Sequence, residues 1–471
     1  MEIAIAVTDD LDIHTPPIDL INFCISKHQN QLKHLDELDE YFLGKHEIFK
    51  RERKNEAVSN VKVMINHAKI TTDTIVGFVT GNPISFSPSE GKNIDNINDA
   101  LDIMDSSSHD TALVQDLSVF GVGYEVLYLQ ANEDNETVVK ISVIDPRQCL
   151  LVTDSTLEKK TLFAVHYHKE TAWQKKATDY YIFNVYTKTH IHIYKSQNLT
   201  INPEDFVESK EHFFKEIPII EYQNNEERQG DFEQARSLID AYNELQSNRL
   251  SDKQNFVEAI LITYGFRVVN SDPKGSEETR NNGMMMSAPG KKDGADAEWL
   301  TKTFNESQVQ VLADALVSDL HKVTYVPDLN DSNFGGTQTG TAMKYKLLGL
   351  LNLLANKQRY LSKGLRKRLK LIENMQNLKN VGSKQSDSTG VVITIKPNLP
   401  INLLELIQQI RDSQDFIPLE HSLAWLPDVP RPKELIQKLL TQQRQQAELN
   451  RVLLGASHEE FEENNHDDDG E

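Results

Sequence analysis

Three short motifs contain residue types that could carry out chemistry, and the first lies at residues 335–341. This segment reads GGTQTGT, a Gly-x4-Gly pattern followed by Thr that superficially resembles a phosphate-binding loop. Such a loop needs a preceding strand and a Lys that reaches the β- and γ-phosphates, and both are missing here. We therefore interpret these residues as a flexible connection between two helices.

The other two motifs are histidine pairs, His166/His168 and His190/His192, in segments with strand-like composition. Residues two apart share one face of a strand, so either pair could bind a metal ion. No Cys and no third carboxylate is spaced to complete a closed site. We favour surface or half-buried strand histidines, and we predict neither a metal nor a cofactor.

Nucleophile motifs are also missing, because the sequence contains neither Gly-x-Ser-x-Gly nor His-Glu-x-x-His. The prediction is therefore that the chain is not an enzyme. A metal-dependent enzyme with a strand-borne site of histidines and acids remains as an alternative of a different class.

The charge pattern is more informative. Fifty Lys and Arg residues against 71 Asp and Glu residues give a formal net charge of −21, so the chain as a whole is a poor clamp for nucleic acid. Between Ser332 and Ile372, however, there is no acid and there are nine bases: Lys344, Lys346, Lys357, Arg359, Lys363, Arg366, Lys367, Arg368 and Lys370. This reversal indicates contact with phosphate or with an acidic neighbouring subunit, or simply a solvated helix face.

The 471 residues correspond to two to four domains by length. Two cysteines, Cys24 and Cys149, cannot form a disulfide framework, which fits a reducing, intracellular setting. The acidic start lacks the pattern of a secretory signal, and no apolar run approaches the ~20 residues that span a bilayer. We expect a soluble chain of cytosolic origin that has no membrane partner.

Apolar periodicity predicts an α+β fold in which helix predominates. Helices are predicted over 19–43, 59–78, 110–120, 230–256, 305–327 and 341–378, the last with a kink near Gly349 or Gly364. Residues 124–222 predict an antiparallel sheet of about six strands, and short strands are predicted at 259–264 and 391–396. Polar loops are predicted at 271–283, 289–298 and 327–340. Two or three short helices are expected within 400–454.

Several sequence blocks, in order, resemble the phage portal protein family of long-tailed phages that infect Gram-positive hosts. They are YFLGKH at 41–46, NHAK at 66–69, DT at 73–74, GF at 77–78, GNPI at 81–84, GVGYE at 121–125, IPIIEY at 217–222 with NN at 224–225, LIDAYN at 238–243, and the basic segment from Lys344 to Leu369. The blocks cover roughly residues 40 to 380.

The resemblance implies a portal-type fold with named regions. By position these are an N-terminal arm, expected to be mobile (1–19), a wing of helices and antiparallel sheet (20–225), a first stem helix (226–256), a clip (257–305), a second stem helix (306–324), a tunnel loop (325–340), a long basic helix and strand that return to the wing (341–399), a crown (400–457) and a disordered acidic tail (458–471).

The same resemblance implies a homo-oligomeric ring, usually of twelve subunits, at the unique capsid vertex. Double-stranded DNA would pass through its channel without sequence specificity during packaging and ejection. The implied partners are the large terminase subunit, the major capsid and scaffolding proteins, and a head-completion or adaptor protein. The implied location is the virion, after assembly in the cytoplasm of the bacterial host. A virion scaffold or adaptor without a DNA channel is the alternative.

Three groups of site residues follow from this resemblance. The tunnel loop would present Asn330, Asp331, Ser332, Asn333, Phe334, Gly335, Gly336, Thr337, Gln338 and Thr339 to DNA. The basic helix would make contacts through Lys344, Lys346, Lys357, Arg359 and Arg366. The clip would dock partner proteins through Arg267, Met284, Met285, Met286 and Trp299. Phe334, a bulky apolar residue in a polar loop, could instead seat the loop between helices.

Overall fold

The computed structural model of this chain combines helices and sheets, with helix predominating, as the sequence predicted. It describes residues 3–6, 12–53, 59–89, 92–131, 137–171, 179–257, 260–264, 285–288, 296–300, 306–328, 345–379, 385–399, 403–413, 416–423, 426 and 435–447. Two compact units are present, Met1–Asn398 and Leu399–Glu471. No helix in the described part of the chain is both long and apolar enough to cross a membrane.

The first unit begins with a short strand and a long helix. Strand β1 (Ile3–Ile5) pairs in parallel with β5 (Cys149–Asp154), so this part of the expected mobile arm belongs to a sheet. Helix α1 (Ile18–Phe42) follows and agrees with the predicted helix over 19–43. Its buried residues recur at helical spacing because one face packs on the interior.

Three further helices precede the main sheets: α2 (His67–Thr80), α3 (Asp95–Ile103) and α4 (Ser106–Phe120). The side chain of Asn66 caps α2 by accepting a hydrogen bond from the backbone N–H of Lys69 at 2.9 Å. Helix α4 contains the predicted helix over 110–120. Strand β2 (Ser85–Ser87) lies between α2 and α3.

The strands between residues 122 and 223 form two sheets, not one. They are β3 (Val122–Ala131), β4 (Thr137–Ile144), β5, β6 (Thr161–Glu170), β7 (Tyr180–Tyr186), β8 (His190–Ser196), β9 (Phe206–Glu211) and β10 (Ile219–Gln223). The larger sheet has the order β1-β5-β6-β7-β8-β9, and the smaller has the order β10-β3-β4. Periodicity identifies strands but not their partners, which is why one sheet was predicted.

Helix α1 connects the two hydrophobic cores that cover these sheets. Its first half contributes Ile21 and Cys24 to the core of the six-stranded sheet. Its second half contributes Leu38 and Phe42 to the core around β3, β10 and α4. Both cysteines are buried and free, in agreement with the absence of a disulfide framework. A single helix therefore contributes to the cores of both sheets.

A helical hairpin that encloses a small sheet follows the smaller core. Helix α5 (Arg236–Val257) leads to β11 (Ile260–Tyr264), β12 (Met285–Ala288) and β13 (Asp296–Leu300), and then to helix α6 (Glu306–Thr324). Strand β11 is central, parallel to β12 and antiparallel to β13. Strand β13 corrects the last three residues of the predicted loop over 289–298, whose other residues lie outside the described part of the chain.

The predicted helix over 59–78 is wrong in its first eight residues, since residues 59–66 are not helical and α2 begins at His67. Three backbone N–H groups of this stretch donate to side chains of α5. In a helix these N–H groups would donate to backbone carbonyls of the same helix. Here the side chains of α5 accept from them, so the segment is not helical despite its apolar periodicity.

Helix α7 (Leu348–Lys379) is the longest described helix, and 32 residues give it a length of about 48 Å. It packs on β10 and α3. Gly364 allows this approach, because a Cβ atom at that position would lie 2.3 Å from Cε1 of Tyr222. Strand β14 (Val392–Thr394) follows α7 and pairs with β2. It lies within the strand predicted over 391–396.

The second unit contains short helices, as predicted for residues 400–454. They are α8 (Leu403–Ser413), α9 (Leu419–Leu423) and a helix over 435–447. The acidic segment after residue 447 lies outside the described residues.

Candidate functional site

Helices α5 and α6 form an antiparallel pair that carries the three-stranded sheet at one end. Near that end the Arg249 Nε–H donates to the Glu306 carboxylate at 2.6 Å, and an Nη1–H of Arg249 donates to Gln310 at 3.0 Å. At the other end Leu320 packs in the same core as Ile239. The 22 residues of α5 give the helix a length of about 33 Å, and the small sheet follows its C-terminal end.

A ladder of hydrogen bonds ties the extended segment 59–66 to α5. Backbone N–H groups of Val61, Val63 and Ile65 donate to Ser251, Ser247 and Asn243 at 3.0, 2.9 and 2.9 Å. Four residues of helix advance about 6 Å and two residues of extended chain about 6.6 Å, so the two repeats match. Asn243, Ser247 and Ser251 are buried, and the ladder fixes residues 59–66 along the middle of α5.

The end of α6 lies beside an open cavity of 590 Å³. Tyr325, directly after α6, adopts a positive φ of 59°, an uncommon conformation for a bulky residue. The Nδ1 atom of His321 hydrogen-bonds to the carbonyl of Val326 at 2.8 Å, which closes the turn. Lys346 lines the same cavity from the segment before α7. The two described chain ends that flank residues 329–344 therefore meet at this cavity.

A buried ionic cluster fixes α7 to the smaller sheet and to α4. Arg368 has no exposed side-chain surface and forms a fork with Glu125, with Nη2 to Oε2 at 2.6 Å and Nε to Oε1 at 3.0 Å. Its Nη1 also donates to Asp110 at 2.6 Å. His109 and Tyr222 donate to Glu125 at 2.8 and 2.6 Å, which completes the shell of this carboxylate.

The charges in this cluster depend on one another. Burial opposes ionisation of Glu125, but Arg368 and the hydrogen bond from His109 outweigh it and lower the pKa of Glu125 to about 2. Burial raises the pKa of Asp110, and its single contact with Arg368 offsets this only in part. Burial alone would lower the pKa of Arg368, yet the attraction of Glu125 raises it, so the guanidinium remains charged.

Lys357 occupies a second buried position on α7. Its ammonium group donates to Asp231 at 2.7 Å and also to the side-chain oxygen of Asn224, and the side chain is 6% exposed. Among the predicted contact residues of the basic helix, Lys357 thus lies in the interior of the subunit. Arg359 and Arg366 are exposed, and Lys346 is half-buried. Lys344 lies outside the described residues.

The remaining predicted site residues fall in two regions. Residues 330–339, expected to face DNA, lie outside the described part of the chain, as do Arg267 and Met284. Met285 and Met286 belong to β12, in register with Leu261 and Ile262 of β11. Trp299 lies in β13 opposite the same Leu261. The backbone therefore brings Met285 and Trp299 into one row across the small sheet.

The histidine pairs have local explanations. The rings of His166 and His168 stack at 5.3 Å, and burial lowers the pKa of His166 to about 4. Nε2 of His192 contacts the carbonyl oxygen of His14 at 2.9 Å, and Nδ1 of His190 contacts the hydroxyl of Thr189. Within the described residues, no group of three or more His, Cys, Asp and Glu side chains is arranged to hold a metal ion.

Sequence reasoning missed the buried cluster around Arg368. A signal for it was present, since Arg368 lies three residues after Leu365 and seven after Leu361, on the apolar stripe of its helix. A base on the buried face of an amphipathic helix requires buried carboxylates opposite it. Nothing in the sequence identifies Glu125 and Asp110, more than 240 residues earlier, as those partners.

In this geometry buried ion pairs and a polar ladder hold long helices in fixed positions. The chain belongs to the phage portal protein family: the family described as "Phage portal protein, SPP1 Gp6-like" matches residues 21–449. The chain is also similar to the portal protein of Bacillus phage SPP1, with 22% identity over 402 residues that cover 82% of this chain and 77% of that protein. The family is one of structural, non-enzymatic phage proteins, and the expected resemblance is confirmed.

Proposed function

We propose that this chain forms the portal ring at the unique vertex of a phage capsid, the channel through which double-stranded DNA is packaged and ejected. The observation that carries the proposal is the family match over residues 21–449, which includes every element of the hairpin and the long helix. In this assignment α5 and α6 are stem helices and the small sheet belongs to the clip. The helices after residue 400 form the crown.

Ring closure requires a head-to-tail interface, in which one surface of a subunit meets a different surface of its neighbour. We expect a homo-oligomer of twelve. Exposed apolar residues on the stem support such an interface, since Val311 and Leu312 of α6 are 67% and 51% exposed in the single chain. Large apolar side chains of this kind are normally covered in an assembly.

Residues 325–340 are proposed to face the DNA. Their sequence contains no base and two acids, Asp328 and Asp331, with Asn, Ser, Thr, Gln and Gly making up most of the rest. Many contacts between bases and phosphates would hold DNA tightly and in a salt-dependent way, which would stall translocation. Short polar side chains on a wall of negative charge let a duplex slide without specific readout.

The clip, residues 257–305, is the proposed docking platform for the large terminase subunit and later for head-completion or adaptor proteins. Its sheet lies at the far end of a hairpin about 33 Å long, which supports a role in contacts outside the ring body. Arg267, Met284, Met285, Met286 and Trp299 are the proposed contact residues. Capsid and scaffolding proteins would contact the wing. The chain would assemble in the cytoplasm of the host and remain in the virion, and it would carry out no catalysis.

The test is the mass of the purified protein in solution. A ring of twelve chains of 53.7 kDa has a mass of about 640 kDa, measurable by mass photometry. Monomers or dimers at all protein concentrations, with and without scaffolding protein, would contradict the proposal.

A second experiment tests the assignment of the channel residues independently of ring assembly. Deleting residues Asn333 to Gln338 is expected to leave ring assembly intact and to lower the amount of packaged DNA. Normal packaging by this variant would remove the assignment of residues 325–340 to the channel.

A further inference from the structure

The two faces of helix α7 differ sharply in chemistry. One face is buried and includes Leu354, Leu361, Leu365, Leu369 and Ile372. The opposite face is exposed and carries five bases: Arg359, Lys363, Arg366, Lys367 and Lys370. Steps of four, three, one and three residues keep these bases within about 100° of the helix circumference. We call these five residues the basic stripe, and it extends about 17 Å along the axis.

Few acids of the same chain compensate for the basic stripe. From Leu348 to Ile372 the helix contains no Asp or Glu. Lys370 pairs with Glu373 at 3.0 Å, and Arg366 donates to the backbone carbonyl of Val391 at 3.2 Å. Neither Arg359 nor Lys363 lies within ion-pair distance of any acid in the described part of the chain. The stripe is therefore a concentrated positive surface on which Arg359 and Lys363 are open to an external anion.

We propose that the basic stripe docks on an acidic surface of a second copy of this chain, so that Arg359, Lys363 and Arg366 hold adjacent subunits in register. This inference rests on the proposed ring and names a surface that would form it. A chain with a formal charge of −21 repels its own copies, and the repulsion must be offset where they meet. Without α7 the chain is more acidic still, so a neighbouring surface is on average negative.

Head-to-tail contacts allow such a pairing, because the two surfaces that meet need not be alike. A basic stripe on one side of a subunit can face an acidic surface on the other side of its neighbour. Complementary charge of this kind fixes register and suppresses wrong orientations more than it adds affinity. The stripe would thus select the one orientation of neighbours that closes a ring.

The observations favour a protein partner over DNA. The start of α7 at Leu348 lies next to residues 329–344, which include the residues proposed to face DNA. Arg359 lies eleven residues further on, about 17 Å along the helix. The buried face of α7 packs on the body of the subunit through β10 and α3. A stripe of bases beside translocating DNA would also hold the phosphates that the channel must release.

The test compares two double variants that change the charge equally. Arg359→Glu/Lys363→Glu reverses the stripe, and Lys33→Glu/Lys188→Glu reverses two exposed lysines on α1 and in the turn after β7. We expect the stripe variant to raise the protein concentration for half-assembly by about tenfold or more, because attraction becomes repulsion. The control should assemble like the wild type, and so should the charge-preserving Arg359→Lys. Far-UV circular dichroism and thermal melting would check that both double variants fold.

Salt and DNA binding complete the test. Raising NaCl from 50 to 500 mM screens exposed charges, so the difference in half-assembly concentration between the wild type and the stripe variant should shrink. Binding of a fluorescent 30-base-pair duplex by the assembled protein should be equal for the stripe and control variants. A folded stripe variant that forms rings as readily as the control would overturn the inference, and so would a selective loss of DNA binding. Failure of the wild type itself to form rings would instead contradict the proposed function.

Discussion

Replacing Arg368 by Ala tests whether α7 is held by a buried ionic cluster. The guanidinium satisfies two carboxylates that water cannot reach, since Glu125 is 0% and Asp110 is 4% exposed. Its fork contacts Glu125 at 2.6 and 3.0 Å, and its remaining nitrogen contacts Asp110 at 2.6 Å. Alanine leaves both carboxylates in place, close together and without their counter-charge.

Breaking a buried ion pair by removing one partner costs about 3–5 kcal/mol, mostly because the other charge remains buried. Two carboxylates depend on Arg368, so we expect the free energy of unfolding at pH 8 to fall by about 4 kcal/mol or more. Glu125→Gln removes one negative charge and leaves Arg368 paired with Asp110. It should therefore be less destabilising than Arg368→Ala.

The loss should also depend on pH. In the wild type the pKa of Glu125 is lowered to about 2, so its contribution is present above its ordinary value of 4.5 and is lost only as pH falls from there towards 2. Between pH 8 and pH 6 this contribution is constant. Without Arg368, burial raises the pKa of both carboxylates. Lowering the pH to 6 then favours their protonation, which removes buried negative charge and reduces the loss of stability of the variant. The deficit relative to wild type should shrink at the lower pH.

The measurement is urea unfolding followed by far-UV circular dichroism at pH 8 and pH 6, below the assembly concentration. Arg359→Ala on the exposed face of the same helix is the control and should change stability by less than about 0.5 kcal/mol. A deficit for Arg368→Ala below about 1 kcal/mol at pH 8 would refute the reasoning, as would a deficit that does not change with pH.

Three further substitutions test other parts of the fold by the same assay. Gly364→Ala should destabilise the protein by about 1–3 kcal/mol, because its Cβ would lie 2.3 Å from the ring of Tyr222. Ser247→Ala should cost about 1–3 kcal/mol, because it leaves a backbone N–H of the extended segment without an acceptor. Burial lowers the pKa of His28 to about 4, so its contribution is present above 6.5 and is lost as pH falls from 6.5 to 4; His28→Gln should flatten that dependence.

Each of these predictions has a matched control or a contrary outcome. Gly77→Ala in α2 meets nothing within 4 Å and should stabilise by up to about 1 kcal/mol, so equal effects at Gly77 and Gly364 would contradict the close-packing argument. Ser237→Ala on the exposed side of α5 should be neutral, and a similar loss at Ser247 and Ser237 would contradict the ladder. An unchanged pH profile for His28→Gln would contradict the role given to this histidine.

Local pattern predicted much of the fold. The apolar stripes of α1, α5, α6 and α7 identified each helix to within a few residues, except at the starts of α5 and α7, which lie six and seven residues after the predicted ones. Composition predicted about six strands over 124–222, where the structure has eight, because β-branched and aromatic runs between turns are local features. The family resemblance was also detectable from the sequence, since it rests on short continuous sequence motifs.

Features that depend on distant partners were not predictable. Residues 59–66 read as helix because nothing local reveals that Asn243, Ser247 and Ser251 would bind their backbone. Strand β1 pairs with β5 across more than 140 residues, so the sequence of the expected mobile arm did not reveal this pairing. The bases of α7 looked alike in sequence, yet Lys357 and Arg368 are buried while Arg359 and Arg366 are exposed. Only packing separates the structural bases from those available to a partner.

Electron microscopy of the purified full-length protein tests the proposed portal function most directly. The proposal predicts closed annular particles with a central hole of ~20–40 Å, wide enough to pass duplex DNA, whose major groove alone is about 12 Å across. Compact particles without a central hole, at a mass well below that of a ring, would contradict it.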